Sequence, residues 1–273
     1  NFNFLYKHYN LGLEKKEYDI AIDFNGYNNI CSLGTLQVKS KKKIIWLHND
    51  IKVKYKYEWK YRVLYHFFKD KFQYFDLVVG VSKKAIESFK EMQKNIPCKV
   101  IPNYINTKEI IKLSQEKVDF KVNKKKINFV CLGRLHYQKG YDLLLPIIRK
   151  LVNERKDFHL YFIGDGKRRT ELEMQVMNLK LRDYVTFLGA KKNPYAYLSQ
   201  MDALIFNSRY EGQGMVALEA KCLGLDVIMP KHLEKYTSVV KGADNVLDAL
   251  VEVKKKEKKV DELVSYNKNI TKS

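Results

Sequence analysis

The sequence predicts an α/β protein built around parallel β-sheets. Between residues 127 and 229, short apolar runs alternate with amphipathic segments of helical length. Turns rich in glycine or asparagine follow three of the apolar runs directly, at 133–140, 164–166 and 207–214. Strands that alternate with helices form parallel sheets covered on both faces, and such sheets bind ligands at the carboxyl ends of their strands. We therefore expect a ligand site where these turns meet.

Length and composition are typical of a folded globular protein. The chain of 273 residues is long enough for two domains, and 45% of its residues are hydrophobic. No uncharged apolar run approaches the roughly 18 residues of a membrane-spanning segment. The formal charge of +20 suits contact with an anionic surface or a phosphorylated ligand. No nucleic-acid partner is expected, because zinc-finger, RRM and KH signatures are missing. We expect a cytoplasmic protein.

The N-terminal part contains the elements of one α/β domain, which we place at residues 1–106. Helices are predicted at 1–18 and 56–74. A further helix at 83–93 follows Ser82, whose hydroxyl can accept a free N–H group of the first turn. Strands are predicted at 18–24, 43–47 and 77–81.

A second domain is predicted at residues 107–251. A polar, lysine-rich stretch at 107–126 forms its entry, and residues 252–273 follow it as a basic helical tail with few apolar contacts. Strands are predicted at 127–132, 158–163, 185–188, 203–206 and 226–229, and helices at 142–155, 168–179, 194–200 and 214–223.

Residues 39–71 form a basic and aromatic segment. They carry eleven lysines and arginines against three acids, interleaved with two tryptophans and six other aromatic residues. A basic, aromatic helix is typical of segments that lie in an anionic membrane interface. The same composition also fits a solvated surface whose aromatic residues pack into the core. Two interpretations therefore stand, peripheral association with the inner face of the cell membrane and an ordinary protein surface.

The run from Asn207 to Ala220 predicts a binding turn. It leads from a buried strand through Gly212 and Gly214 into an apolar helix. Glycines let a ligand approach the backbone closely, and the unpaired N–H groups of a helix start attract an anion. Glu211 and Glu219 are eight residues apart, roughly 12 Å at the helical rise. That separation is too long for one metal ion or a glycosidase carboxylate pair, so we expect them to contact opposite ends of an extended ligand.

A second turn runs from Gly133 to Gly140, directly after the strand predicted at 127–132. Arg134 offers a planar set of donors and Lys139 a point charge, and both suit a diphosphate. Taken alone, such a turn is more typical of a solvated loop with two surface cations. Its position at a strand end, like that of the 207–220 run, favours a binding role.

Together these two turns resemble the retaining glycosyltransferases of family 4, which have the two-domain GT-B fold. The resemblance covers roughly residues 18–240. It implies two Rossmann-like parallel-sheet domains that face a cleft. The N-terminal domain is expected to be truncated, because it has fewer strands than the family's and lacks its glycine-rich acceptor loop. Further matches, in the family's order, are Ile101-Pro102-Asn103, Ile163-Gly164-Asp165-Gly166 and Phe187-Leu188-Gly189.

The resemblance implies an enzyme that transfers a hexose, with retention, from a nucleoside diphosphate sugar such as a UDP-sugar. The acceptor would be a hydroxyl of a saccharide or a lipid-linked molecule, in the synthesis of a bacterial surface polysaccharide or glycolipid. The chain has no Asp-x-Asp motif, so a metal-dependent diphosphate site lacks its ligands. We therefore expect no metal and no other cofactor.

The resemblance also implies roles for individual residues. Arg134 and Lys139 would bind the diphosphate, and Glu219 would accept the ribose hydroxyls. Glu211 would contact the donor sugar, and His48 would face that sugar from the first domain. The catalytic set is thus Glu211, His48, Arg134 and Lys139. The donor-binding set is Gly133, Arg134, Lys139, Leu188, Gly212, Gln213, Gly214, Met215, Val216 and Glu219.

Three alternatives have less support. The run Gly212-Gln213-Gly214-Met215-Val216-Ala217 fits a dinucleotide-binding fingerprint, but it lies late in the chain and no acid sits after a strand about twenty residues on. A phosphorylase-like enzyme lacks a recognisable lysine motif for its pyridoxal cofactor. A non-catalytic nucleotide-binding subunit, which would need a partner chain for the acceptor half, is compatible with the short first domain.

Overall fold

The computed structural model describes residues 2–13, 16–237 and 240–271, which belong to two compact units. The first unit comprises residues 1–103 together with 270–273, and the second comprises residues 104–269. Each unit contains one parallel β-sheet with helices, so the predicted α/β class is confirmed.

The N-terminal unit is built on a four-stranded parallel sheet in the order β1-β2-β3-β4. Apolar side chains of the central strands, including Ile45, Leu47 and Val78, pack with Phe72 and Phe89 in a fully buried core. Its strands are β1 (Glu17–Asp23), β2 (Lys39–Leu47), β3 (Leu77–Gly80) and β4 (Cys98–Val100), and its helices are α1 (Phe2–His8), α2 (Asn29–Gln37), α3 (Ile51–Tyr57), α4 (Trp59–Phe68) and α5 (Lys83–Met92).

The long helix predicted at 56–74 is wrong, because the chain breaks there into α3, α4 and a 3-10 helix over Lys69–Tyr74. Glu58 has an extended backbone between α3 and α4, with φ −110° and ψ 97°. Arg62 Nη2 donates to the carbonyl of Lys56 at 2.7 Å, which satisfies the exposed end of α3. The N-terminal helix also ends earlier than predicted, at His8. The predicted cap is confirmed, since Ala85 N–H donates to Ser82 Oγ at 3.2 Å.

The second unit is built on a five-stranded parallel sheet in the order β7-β6-β5-β8-β9. Phe129, Phe158 and Phe162 lie in its core and are fully buried. Its strands are β5 (Ile127–Leu132), β6 (Phe158–Ile163), β7 (Val185–Gly189), β8 (Ala203–Ile205) and β9 (Asp226–Ile228), and its helices are α6 (Thr107–Ser114), α7 (Tyr141–Glu154), α8 (Arg169–Asn178), α9 (Tyr195–Leu198), α10 (Met215–Cys222) and α11 (Val246–Glu252). The last helix, α12 (Val264–Thr271), begins in this unit.

The order of strands in this sheet reverses at β5, which lies between β6 and β8. Chains that leave neighbouring strands in opposite directions open a crevice at the carboxyl edge of the sheet, where α/β proteins bind ligands. The loops that follow β5 and β8, residues 133–140 and 206–214, border this switch point. They are the two turns that the sequence singles out.

Two expectations for this unit are corrected. The predicted linker at 107–126 contains α6, which Asn106 caps by accepting the N–H of Glu109 at 3.2 Å. The tail was predicted to be helical with few apolar contacts, but it is not helical from 253 to 263, and its Leu263 is buried. Lysine side chains hold this segment against the unit, since Lys255 Nζ lies 3.3 Å from Asp202 Oδ2.

Candidate functional site

The β5–α7 loop, residues 133–140, and the β8–α10 loop, residues 206–214, are pressed together at the carboxyl edge of the second sheet. Gly140 has φ +65°, and a Cβ atom there would lie 2.3 Å from the carbonyl oxygen of Asn207. The Asn207 side chain donates back to the Gly140 carbonyl at 2.9 Å. Glycine is therefore required at position 140, both for its left-handed backbone and for this close approach.

The β6–α8 loop, residues 164–168, joins them on the other side of the β5–α7 loop. Gly164 has φ +142°, and a Cβ atom there would lie 2.0 Å from the carbonyl oxygen of Gly133. The Leu135 N–H group donates to the Asp165 carbonyl at 2.9 Å. Three loops thus meet at one edge, as the glycine-rich turns predict.

Lys139 and Glu211 form an ion pair where the loops meet. Lys139 Nζ lies 2.7 Å from Glu211 Oε1, and Ser208 Oγ donates to the same oxygen at 2.5 Å. The ammonium group also lies 5.6 Å from the centre of the Phe206 ring, close enough for a cation–π contact. Only 8% of Glu211 is exposed. These two partners fix the orientation of the buried Glu211 carboxylate. It can therefore accept a further hydrogen bond from a ligand in one defined direction.

Helix α10 begins directly beside this pair. Gly214 precedes it with φ +69°, and no side chain of the described residues caps its first N–H groups. Among the described residues, the side chains nearest to a Cβ at position 214 would be those of Thr237 and Phe206, at 2.9 and 3.1 Å. The N–H groups at a helix start, here those of Met215 and Val216, carry partial positive charge and favour an anion.

Glu219 lies one and a half turns further along α10 and is partly buried. Tyr195 OH donates to its Oε1 at 3.3 Å. Burial raises the pKa of Glu219 above its usual value, while the Tyr195 hydrogen bond and the charge of Lys139 oppose this rise. Lys139 therefore acts electrostatically on Glu219 as well as pairing directly with Glu211.

The remaining residues predicted to bind the donor lie at the same edge of the sheet and differ in their exposure and in their partners. Arg134 is exposed just after β5, and no hydrogen bond or ion pair engages its guanidinium within residues 2–13, 16–237 and 240–271. Leu188 is partly buried in β7. Gln213 donates from its side chain to Tyr266 OH, so this position offers a ligand its backbone rather than its amide. Gly212 is buried within the β8–α10 loop.

His48 belongs to the N-terminal unit and follows the carboxyl end of β2. Its ring contacts that of Phe24, with centroids 4.5 Å apart. Nε2 is buried and has no hydrogen-bond partner in the described part of the chain. Burial lowers the pKa of His48, and a hydrogen bond to the Phe24 backbone opposes that shift. Its predicted role at a donor sugar stays a prediction.

Asp142 is a residue of the site that the sequence does not reveal. Its carboxylate accepts hydrogen bonds from Arg209 at 2.8 and 2.6 Å and pairs with Arg168 Nη1 at 3.0 Å. Burial alone would raise the pKa of Asp142, but the two guanidinium groups outweigh it and hold the pKa at about 2. Arg209 also lies over the Tyr137 ring, 3.9 Å from its centre. These contacts tie the three loops to the start of α7.

The geometry defines what this edge can bind. It offers one exposed guanidinium, one partly buried ammonium and a helix start that no side chain of the described residues caps, which together attract a group with several negative charges. Glu211 and Glu219 provide carboxylate acceptors for hydroxyl groups at the same edge of the sheet. An elongated ligand with an anionic middle and hydroxyl-bearing ends matches this arrangement.

Comparisons with known proteins agree with this geometry. Residues 114–265 match the family described as Glycosyl transferases group 1. An uncharacterised glycosyltransferase of Methanocaldococcus jannaschii is 28% identical over 193 residues, which make up 68% of this chain and 47% of that protein. The lipopolysaccharide core biosynthesis glycosyltransferase LpsD of Rhizobium meliloti is 37% identical over 90 residues, 33% of this chain and 25% of LpsD. The chain spans less than half the length of these curated relatives.

Solved structures share the fold. TarM aligns with a TM-score of 0.66 and 13% identity, over 92% of this chain and 49% of its own. The Anabaena HepE protein, solved in complex with UDP-glucose, aligns with a TM-score of 0.64 and 17% identity, over 92% of this chain and 71% of its own. These likenesses and the two parallel-sheet units confirm a fold of the GT-B type. With more than half of its residues matched to the family, the chain belongs to the group 1 glycosyl transferases.

Proposed function

We propose that the chain binds a nucleoside diphosphate sugar in its second unit and transfers the sugar to an acceptor hydroxyl with retention, as family 4 enzymes do. The observation that carries this proposal is the Lys139–Glu211 ion pair, 2.7 Å long, beside the start of α10, which no side chain of the described residues caps. A cation that pairs with one carboxylate and acts electrostatically on a second suits a ligand that joins an anionic group to hydroxyl groups.

The diphosphate would lie at the start of α10, with Arg134 and Lys139 as its cationic partners. When the sugar leaves, negative charge develops on the diphosphate, and donors already in place stabilise it without reorganisation. Lys139 is held within 2.7 Å of Glu211 before any ligand binds, so its ammonium is pre-positioned. We propose that these cations and the helix start replace a metal ion.

The two glutamates would contact the ends of the donor. Glu219, with its raised pKa and its Tyr195 partner, would accept the ribose hydroxyls, and Leu188 would lie against the base. Glu211, fixed by Lys139 and Ser208, would accept a hydroxyl of the donor sugar. A UDP-sugar, and hence hexosyl transfer, is supported by the Anabaena HepE structure, which holds UDP-glucose.

The acceptor would be a saccharide or a lipid-linked molecule in the synthesis of a bacterial surface polysaccharide or glycolipid. Support comes from relatives named for such syntheses, LpsD of Rhizobium meliloti and the O-antigen biosynthesis glycosyltransferase WclY of Escherichia coli. His48, at a strand end of the N-terminal unit, would act on the acceptor side of the donor sugar.

A thermal-shift panel of nucleoside diphosphates tests the donor site. UDP is expected to stabilise the wild type, and Arg134→Ala and Glu219→Ala should each abolish most of that shift. Arg182→Ala removes an exposed arginine that precedes β7, at the opposite edge of the sheet, and should leave the shift unchanged. If no nucleoside diphosphate stabilises the wild type, the donor site is wrong.

A non-catalytic nucleotide-binding subunit is the second candidate, because the chain spans less than half the length of its curated relatives. Such a subunit would bind UDP but would neither hydrolyse nor transfer a UDP-sugar without a partner chain. Release of UDP by the purified chain alone would favour the complete enzyme. UDP binding without turnover, restored by a second chain, would favour the subunit.

We further propose that α4 lies on the cytoplasmic face of an anionic membrane. Trp59, Val63 and Phe67, spaced four residues apart, are 68%, 47% and 57% exposed and form an apolar stripe flanked by Lys60 and Arg62. Within the described residues, the structure contains no helix of the length and hydropathy needed to cross a membrane.

Flotation with vesicles tests this placement. The wild type should float with vesicles rich in phosphatidylglycerol but not with zwitterionic ones, and Trp59→Ala with Phe67→Ala should remove the association. The matched control is Met174→Ala with Met177→Ala, which removes comparable exposed apolar groups from α8, 53% and 50% exposed. Absence of wild-type binding to anionic vesicles would rule the placement out.

A further inference from the structure

A pocket separate from the candidate donor site lies wholly within the N-terminal unit. It has a volume of about 540 Å³ and is formed by residues of α3, α4 and α5. Four of its lining residues are the cations Lys52, Lys56, Arg62 and Lys84. No acidic residue is among those that line it in the described part of the chain.

Part of this positive charge has no ion-pair partner among the described residues. Lys52 pairs with Glu91 at the border of the pocket, and the charge of Lys84 also acts on Glu91. Across residues 2–13, 16–237 and 240–271, no ion pair engages Lys56, Arg62 or Lys84. These cations attract an anion to the pocket that they line.

Arg62 is held in place before any ligand arrives. Its Nε donates to the Tyr55 carbonyl at 3.1 Å and its Nη2 to the Lys56 carbonyl at 2.7 Å. Its guanidinium carbon lies 5.7 Å from the centre of the Tyr55 ring. A guanidinium anchored on two carbonyls keeps its remaining N–H groups in a fixed direction, which lowers the entropy cost of binding an anion.

The chemistry of the walls indicates the ligand. Val53 and the Tyr55 ring provide apolar surface beneath the cations. The volume lies within the range of roughly 300–1,000 Å³ that holds small ligands. A carboxylate brings one negative charge, whereas a phosphoryl group brings up to two charges and three acceptor oxygens, which better matches three cations.

We propose that this pocket binds a phosphoryl group carried on a partly apolar molecule. The group would be held by Arg62, Lys56 and Lys84, and the apolar portion would contact Val53 and Tyr55. This site is separate from the donor site and does not depend on it. The phosphoryl group has two sources, a bilayer lipid or a soluble phosphate compound, and α4 carries both Arg62 and the exposed stripe of Trp59, Val63 and Phe67.

Binding of inorganic pyrophosphate and of vesicles containing phosphatidic acid tests the proposal on the intact chain. The key variant is Lys56→Ala with Lys84→Ala. Its control is Lys83→Ala with Lys90→Ala, which lowers the net charge equally from exposed positions of α5 that do not line the pocket. The key variant should weaken binding by about tenfold or more, and the control by less than about twofold.

The two ligands distinguish the sources. Saturable binding of pyrophosphate that the key variant weakens selectively assigns the pocket to a soluble phosphate compound. Selective weakening on phosphatidic acid vesicles alone assigns it to a bilayer lipid. Equal weakening by both variants, or binding of neither ligand by the wild type, overturns the proposal. UDP binding, measured in parallel, reports separately on the donor site.

A measurement on the wild type alone guards against a folding defect in the variants. Pyrophosphate or phosphatidic acid should slow the acetylation of Lys56 and Lys84, followed by mass spectrometry, relative to Lys83 and Lys90. Equal acetylation rates at all four lysines with and without ligand would overturn the proposal as well.

Discussion

Replacement of Asp142 by asparagine tests how the three loops of the donor site are held. The change keeps the shape of the side chain but removes its charge. It weakens two hydrogen bonds from Arg209, at 2.8 and 2.6 Å, and the pairing with Arg168 at 3.0 Å. Because these loops carry Arg134, Lys139 and Glu211, we expect losses in both stability and nucleotide binding.

The magnitude follows from burial. The Asp142, Arg209 and Arg168 side chains are 19%, 14% and 20% exposed, so solvent screens them only in part. Breaking a fully buried pair costs about 3–5 kcal/mol, and an exposed pair contributes about 0–1 kcal/mol. We expect an intermediate loss of about 2–3 kcal/mol, which lowers the Tm of a domain of this size by about 4–12 °C.

Calorimetric melting of the full chain measures this loss, with Asp157→Asn as the control. Asp157 pairs with Arg155 through two hydrogen bonds of 2.8 and 2.9 Å but is 58% exposed. The control should lose less than about 1 kcal/mol. Equal losses in the two variants, or an unchanged affinity for UDP in Asp142→Asn, would refute the assignment of Asp142 as the residue that positions the loops.

Three further results are expected. In thermal melts, Gly140→Ala should lower the Tm much more than Gly12→Ala. Both glycines have a left-handed backbone, but only at position 140 would the Cβ lie 2.3 Å from a carbonyl oxygen. Similar losses of Tm in the two variants would contradict this. In acid titrations, the stability difference between wild type and Asp142→Asn should shrink as pH falls from 3.8 to about 2, since the folded pKa is depressed and protonation removes the ion pairs. Glu219→Gln should gain stability relative to wild type as pH rises above 4.5, because the folded pKa of Glu219 is raised and the wild type must then ionise a half-buried carboxyl group. Urea melts across this pH range measure the difference. A difference in stability that does not change with pH would refute the raised pKa.

The fold of the second unit was predictable because its central strands, β5, β6 and β8, are apolar runs buried along most of their length and alternate with helices. The strand predicted at 158–163, for example, has the observed bounds of β6. The N-terminal unit was harder to predict. Its aromatic residues fit one long helix by composition, yet the extended backbone of Glu58 separates α3 from α4. The short strand β4 and helix α2 lack a pattern strong enough to predict.

Part of the candidate site was predictable from strand ends. Lys139 and Glu211 follow β5 and β8, and neighbouring parallel strands bring their carboxyl ends together. The partners of Asp142 were not predictable, because Arg209 is 67 residues away in sequence and nothing in the sequence marks the pair. Likewise, nothing in the sequence predicts that the side chain of Gln213 hydrogen-bonds to Tyr266 instead of facing a ligand.

The affinity of UDP for Lys139→Ala, measured by titration calorimetry against wild type and Lys150→Ala, tests the donor site most directly. Lys150 is an exposed lysine of α7 and controls for the loss of one positive charge. If Lys139 binds the diphosphate, its removal should weaken UDP binding by about 10-fold to 100-fold, the value of one charge-assisted contact. If Lys139 serves only as the structural partner of Glu211, UDP will bind Lys139→Ala and Lys150→Ala with the same affinity, and the assignment of the donor site is contradicted.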